Sequence, residues 1–336
     1  MSNIEISSAR PVFVLGAPRS GTTLLQYILK SHPNISIPSG ESHFIVPLFR
    51  DRKIFGDLTQ SKNLRRVLES IYKKSASFLN TDLHGFKFEV GSLANEMHEK
   101  GVNSVPSLVN FIFSKNAIGE GKMRWGDKTP YYVRHMRLLS EMFPNAQFIH
   151  IIRDGRDVAV STIKRKTDFM VFNYFFAAKY WQFYVDEGQR QGRELEEGRY
   201  HELKYEDLIR DTEGQLRTIC DFLGEEYFDS LLDYVKSGGN GGSTHLLSQP
   251  VDRKNSGKWK KHMNARQINT FERVASKSLS ANGYQLSSAF IKPFGRLFRV
   301  AYRLHNEVVA KYYQIKDREK YQSKQFKAVP THENNK

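Results

Sequence analysis

The stretch Pro11-Val-Phe-Val-Leu-Gly-Ala-Pro-Arg-Ser-Gly-Thr-Thr-Leu-Leu25 decides the fold. Pro11 to Gly16 is a short apolar, β-branched run and predicts a buried strand. Thr22 to Lys30 predicts a helix that stops near Ser31, because Pro33 disfavours helical geometry at His32. Between them lies a glycine-bounded turn. In such a strand–turn–helix frame the free N–H groups of the helix start point into the turn, and the helix dipole adds positive potential there. Ser20, Thr22 and Thr23 offer hydroxyl donors, Arg19 a planar fork, and Gly21 room for close approach by an anion. The spacing nearly matches GxxxxGK followed by Ser or Thr, the triphosphate loop, but Thr22 stands where that pattern has lysine.

Outward from this unit the pattern repeats. Gly85 to Val90 alternates like a strand, and Thr129-Pro130 predicts the start of a helix over 131–143. Gln147 to Ile152 reads as a second buried strand, followed by helices over 157–164 and 172–191. Arg199 to Lys204 predicts a further strand, and a single helix follows over 206–223, closed by Gly224. Gly238 to Ser243 is a loop, and Asn264 caps a helix that runs to Ala281, just before Gly283. Strands alternating with helices predict an α/β, P-loop-type three-layer fold with a central, mainly parallel sheet. The expected organisation is an N-terminal extension over 1–10, one domain over 11–285 and a basic, partly helical tail over 286–336.

The chain has 336 residues and a formal net charge of +15, and the tail from Ser287 onward supplies +7 of it. Such an excess favours anionic partners. No zinc-ligand spacing or recognition-helix motif is present, so nucleic acid is not expected, and the scattered histidines predict no metal. There is no apolar run of membrane-spanning length, no leader-like N-terminal pattern, and a single cysteine, Cys220, expected to be a buried helical thiol. These features predict a cytoplasmic protein. In the tail, Phe294, Leu297, Phe298, Ala301, Leu304 and Val308 form an apolar stripe, with Arg296, Arg299 and Arg303 largely off it. Ordinary amphipathicity predicts that this stripe docks on the chain's own core; a membrane surface or partner is the alternative.

The segment PRSGTTLL resembles the phosphosulfate loop of the sulfotransferases that use 3′-phosphoadenosine-5′-phosphosulfate (PAPS), and three further segments match in the family's order. The resemblance implies that Arg19, Ser20, Gly21, Thr22 and Thr23 cradle the 5′-phosphosulfate. Phe148-Ile-His-Ile-Ile-Arg-Asp-Gly-Arg-Asp157, with Ser161 beyond it, is similar to the element whose Arg and Ser hold the 3′-phosphate, here Arg153 and Ser161. Arg156 and Asp157 are expected to shape the turn and cap the following helix. Leu203-Lys-Tyr-Glu-Asp-Leu208 is similar to the element whose Tyr, here Tyr205, contacts adenine. Arg253-Lys-Asn-Ser-Gly-Lys-Trp-Lys260 resembles a late basic segment, with Lys254 and Lys258 as phosphate contacts and Trp259 as a packing anchor, although Asn255 replaces a glycine and the spacer is one residue short.

The implied reaction moves a sulfuryl group to an acceptor hydroxyl, leaving 3′-phosphoadenosine-5′-phosphate (PAP). It needs a base for the hydroxyl proton and cations for the leaving phosphate. Pro38-Ser-Gly-Glu-Ser-His43 supplies Glu41, which looks like the base of the tyrosylprotein branch, with His43 as competitor. Asp127-Lys-Thr-Pro130 supplies Lys128 to neutralise developing charge, and Arg19 contributes from the loop. The acceptor is a carbohydrate, tyrosine or other alcohol or phenol. The rival reading is a P-loop nucleotide-dependent phosphotransferase, which would need the missing loop lysine.

Overall fold

The computed structural model describes residues 10–234, 252, 254–287 and 292–316. Five strands form one sheet in the order β2-β3-β1-β4-β5: β1 (Val12–Gly16), β2 (Ile35–Ser36), β3 (Arg124–Lys128), β4 (Gln147–Ile152) and β5 (Tyr200–Lys204). β1 pairs in parallel with both β3 and β4, and β2 in parallel with β3. The mainly parallel α/β sheet expected from the alternation is therefore present.

The chain divides into two compact units, one of residues 1–16, 21–151 and 188–252, the other of 17–20, 152–187 and 253–336. The first unit contains the sheet. Because side chains alternate along a strand, β1 serves both faces. Val12 and Val14 join Leu25, Ile28 and Leu29 of α1 (Thr22–Lys30) and Leu216 and Ile219 of a later helix in one buried cluster. Phe13 points the other way, stacking on Phe148 at 5.5 Å and meeting Trp125 edge-on at 5.8 Å. Burial of one such ring contributes on the order of 2 kcal/mol, so β1 is fixed from both sides. Further helices are α2 (Ile45–Arg50), α3 (Ser61–Thr81), α4 (Val90–Glu99), α5 (Val105–Gly119) and α6 (Met136–Met142).

Three expectations are corrected here. Gly85 to Glu89 is not a strand: Phe88 is buried against Tyr72 of α3, and the Gly85 N–H donates to Asn116 of α5, so the alternation records an extended segment lying on helices. Residues 130–135 form a 3₁₀ turn before α6, because the Thr129 hydroxyl accepts from the Ser42 N–H rather than capping. The single helix over 206–223 is two, α10 (Tyr205–Arg210) and α11 (Thr212–Leu223), since Asp211 leaves helical geometry to accept from the Gly214 N–H. Gly224 closes α11 in the left-handed conformation, as expected, and Cys220 is buried.

The second unit is helical. α7 (Gly155–Lys164), α8 (Lys166–Phe169) and α9, which starts at Tyr174 and runs to Gly192 in the first unit, precede α12 (Trp259–His262), α13 (Ala265–Ala281) and α14 (Arg296–Lys316). Asn264 caps α13 with a reciprocal Gln267 bond, as its sequence predicts. Gly155 has a backbone reason to be glycine: a Cβ there would lie 2.4 Å from the Trp181 ring. α14 corrects the tail expectation. It docks through Tyr302, stacked on Phe175 at 5.1 Å, and through buried Asn306, which accepts from the Phe172 N–H. Of the predicted apolar stripe, Phe294 joins this contact, edge-on to Phe175 at 5.8 Å, whereas Leu297, Phe298, Leu304 and Val308 face outward. The loop over 238–243 lies outside the described residues, as does Arg253.

Candidate active site

Parallel pairing sets the carboxyl ends of β1 and β3 at one edge of the sheet, with Val14 in register with Lys128. Open α/β sheets carry their ligands at this edge. The loop after β1 holds three unusual conformations. Gly16 has φ 153°, and a Cβ there would meet the Ile151 carbonyl at 2.5 Å. Arg19 is left-handed at φ 77°, a strained state for a residue with a side chain. Gly21 has φ 101°, and a Cβ there would lie 2.4 Å from the Tyr205 ring. Gly21 therefore lets buried Tyr205 close on the start of α1. No side chain caps that helix, whose first residues are Thr22 and Thr23. Ser20 is fully buried, and its hydroxyl has no hydrogen-bond partner among the described residues. An uncapped helix start in the first unit and an unpartnered buried hydroxyl in the second each offer donors that an anionic group would satisfy.

Downstream, the loop before α2 brings Glu41 and His43 to Lys128. The Gln26 amide donates to the Pro38 carbonyl, and Gly40 packs where a Cβ would strike the Asp82 carboxylate. Glu41 Oε1 accepts from Lys128 Nζ at 3.0 Å, and Oε2 lies 2.9 Å from His43 Nε2. Burial favours the neutral acid, yet Lys128 and His43 together hold the Glu41 carboxyl well below the usual carboxylate range. Lys128 is nearly inaccessible, whereas the Glu41 side chain keeps 30% exposure, so the carboxylate is the member of the pair that a substrate can reach. Beneath them Asp127 is buried beside Ser42 and Thr129, and burial pushes its carboxyl up to about 6. The Tyr132 hydroxyl ties this layer together, accepting from Ser42 and from the Ile45 N–H.

In the second unit, Arg19 Nε donates to Ser161 Oγ at 3.0 Å. Arg153 donates to the Asn255 carbonyl at 2.8 Å and lies 3.5 Å from Asp157, and its own carbonyl accepts from the Trp181 indole. Asp157 corrects an expectation. Asp154 caps α7, and the Asp157 oxygens instead accept from the Gly257 and Trp259 N–H groups, both at 2.8 Å. Asp157 thus pins the late basic loop. Trp259 is the expected anchor, buried beneath the Arg156 guanidinium 3.8 Å from its ring centre. Arg156 also pairs with Asp154 and Glu272. Lys254 and Lys258 are exposed on that loop. Each unit therefore assembles part of the expected set: Glu41, His43 and Lys128 together and Gly21 with Tyr205 in the first; Arg19 with Ser161, and Arg153 with the 255–259 loop, in the second. Asp127 and the Asn255 carbonyl are the members that sequence reasoning did not single out, and Asp157 is one that it assigned to a helix cap.

A model of the sulfotransferase family matches residues 11–229, a span that includes β1, its loop, β3 and β4. The chain belongs to the sulfotransferase family. Sulfotransferase relatives include a protein-tyrosine sulfotransferase of Drosophila melanogaster, 25% identical over 226 residues that make up 66% of this chain and 40% of the relative. Another is a protein-tyrosine sulfotransferase of Gallus gallus, 25% identical over 75% of this chain and 63% of its own length. The chain spans about half the length of such curated relatives. An omega-hydroxy-beta-dihydromenaquinone-9 sulfotransferase of Mycobacterium bovis is 38% identical over 119 residues, 32% of this chain and 31% of its own. Among solved structures, the sulfotransferase domain of the Synechococcus PCC 7002 olefin synthase superposes with a TM-score of 0.57 at 25% identity, covering 83% of this chain and 97% of that domain.

Proposed function

We propose that this sulfotransferase-family chain moves a sulfuryl group from PAPS to an acceptor hydroxyl, with residues 11–285 as the catalytic domain. The observation that carries the reading is Glu41 bonded to Lys128 at the carboxyl end of β3, an ionised carboxylate and a cation held in one hand. The acceptor oxygen attacks sulfur as the bond from sulfur to the 5′-phosphate oxygen breaks, and the hydroxyl proton passes to Glu41. Charge grows on the leaving PAP. Lys128 and Arg19 neutralise it, and the N–H groups at the start of α1 donate hydrogen bonds to it together with the Ser20, Thr22 and Thr23 hydroxyls. His43 orients the Glu41 carboxylate from its other oxygen. Once Lys128 turns to the transferring group, burial raises the Glu41 pKa and makes it a stronger base.

Arg153 and Ser161 serve the 3′-phosphate, Tyr205 the adenine, and Lys254 and Lys258 close from the basic loop. Support comes from the unpartnered Ser20 hydroxyl and from Thr22 in place of the lysine that a triphosphate loop requires. The acceptor is an alcohol or phenol; relatives named for tyrosine and for an omega-hydroxy menaquinone direct the first screen. No helix among the described residues is long and apolar enough to cross a membrane. A cytoplasmic setting, consistent with the lone buried thiol, is part of this proposal. The chemistry makes no use of α14.

Calorimetry of PAP, 5′-AMP and magnesium-ATP tests the donor site in wild type and Arg153→Ala. PAP should bind tightest, and the substitution should remove most of that preference. Equal or tighter magnesium-ATP binding would overturn the reading in favour of a phosphotransferase.

A further inference from the structure

α14 presents two opposed faces. Tyr302, Asn306 and Tyr313 turn inward, with Tyr313 stacked on Phe172 at 5.4 Å and the Asn306 amide donating to the Met170 carbonyl. At 100° per residue these three lie together, and Leu297, Leu304, Val308 and Ile315 fall on the opposite side. Those four are 85%, 55%, 67% and 72% exposed, and Val300 and Tyr312 widen the stripe. So many large apolar side chains on one line of a water-facing helix mark an interaction surface rather than scattered surface residues.

Charge identifies what the surface meets. Residues 292–316 carry six basic groups, Lys292, Arg296, Arg299, Arg303, Lys311 and Lys316, against Glu307 alone. Arg303 is paired with Glu307; Arg296 and Lys316 flank the stripe and Lys311 lies within it. A second copy would bring like charge against like charge. The helix of 21 residues is also too small for it. A stripe about 31 Å long and one helix face wide offers roughly 300 Å², well short of the ~800 Å² per partner of a stable interface. An anionic bilayer has the opposite sign, accepts a single helix lying flat, and leaves the inward Tyr302–Asn306 face undisturbed.

We propose that α14 is a membrane-surface helix that rests its Leu297–Ile315 stripe in the headgroup region of an anionic bilayer, with Arg296, Lys311 and Lys316 on lipid phosphates and carboxylates. It seats the second unit on the lipid without spanning it. The inference is independent of the donor and acceptor assigned above.

The test is co-sedimentation of the full chain with vesicles of phosphatidylcholine alone or mixed with phosphatidylserine, alongside light scattering without lipid. Wild type should pellet with the phosphatidylserine vesicles only and be partly released by high salt. Leu304→Glu with Val308→Glu should lower partitioning about tenfold or more. Arg296→Gln, which leaves the stripe intact, should lower it about fivefold. Circular dichroism of each variant verifies folding. Three results would each overturn the proposal: wild type remaining in the supernatant, the double variant binding as wild type does, or lipid-free self-association that the double variant abolishes.

Discussion

Lys128 and Glu41 neutralise one another in the resting site, and that pairing fixes how the proposed reaction responds to pH. A carboxylate base works when deprotonated, so activity falls as pH drops through its pKa. With the Glu41 carboxyl held below its ordinary range, wild type should show no Glu41-dependent acid limb above about pH 4.5. Lys128→Met removes the stronger cation and leaves burial opposed only by His43. The acid limb should then move to higher pH, and kcat should fall about a hundredfold or more; a pH profile of kcat/KM reads both. Asp127 carries the opposite sign. Its carboxyl, raised to about 6 by burial, keeps a proton that the unfolded chain has already lost, so its contribution to stability declines as pH rises from about 4 to 6. Asp127→Asn should raise stability at pH 7 by on the order of 2 kcal/mol and change little at pH 4. Thermal melts at the two pH values check this, and an equal effect at both would remove the pKa explanation.

Among the elements, β1, its loop and α1 were the most legible, because every signal there is local: a continuous apolar, β-branched run buried at every position, a glycine for a left-handed turn, a helix start without a cap. Gly21 makes the point testable. With φ 101° and Tyr205 where its Cβ would go, Gly21→Ala should displace the Tyr205 ring or the helix start and weaken PAP binding at least about tenfold, measured by calorimetry. Legibility ended where one element answers to another far along the chain. The GFKFEV alternation was real, but Tyr72 of α3 and Asn116 of α5 are its partners, not strands. The tail helix was placed correctly and turned largely the other way, since Asn306 satisfies the Met170 carbonyl and the Phe172 N–H, and the Tyr302 carbonyl accepts from the Asn173 side-chain amide. At the site, Glu41, His43 and Lys128 could be named by order along the chain. That Asp157 serves Gly257 and Trp259 instead of its own helix could not, because a helix-start aspartate reads as a local cap.

At the scale of the whole molecule, a +15 chain is self-repelling, and binding a polyanion relieves part of that while favouring the folded state alone. PAP at a hundred times its Kd should stabilise the fold by about 2.7 kcal/mol. For a chain of this size that raises Tm by several degrees, at roughly 2–4 °C per kcal/mol. The comparison that matters is with 5′-AMP at the same concentration, since it lacks only the 3′-phosphate assigned to Arg153 and Ser161. AMP should shift Tm much less, Arg153→Ala should bring the PAP shift down to the AMP value, and added salt should shrink the PAP shift more than the AMP shift. A guanidinium already tied to the Asn255 carbonyl and Asp157 is held in place before ligand arrives, so its loss should cost affinity through the phosphate rather than through collapse of the loop. Arg153→Lys separates the two effects: it keeps a charge for the phosphate and loses the planar fork. Partial recovery of the PAP shift would assign Arg153 to the phosphate, and equal shifts from PAP and AMP in wild type would leave the 3′-phosphate without a seat on this chain.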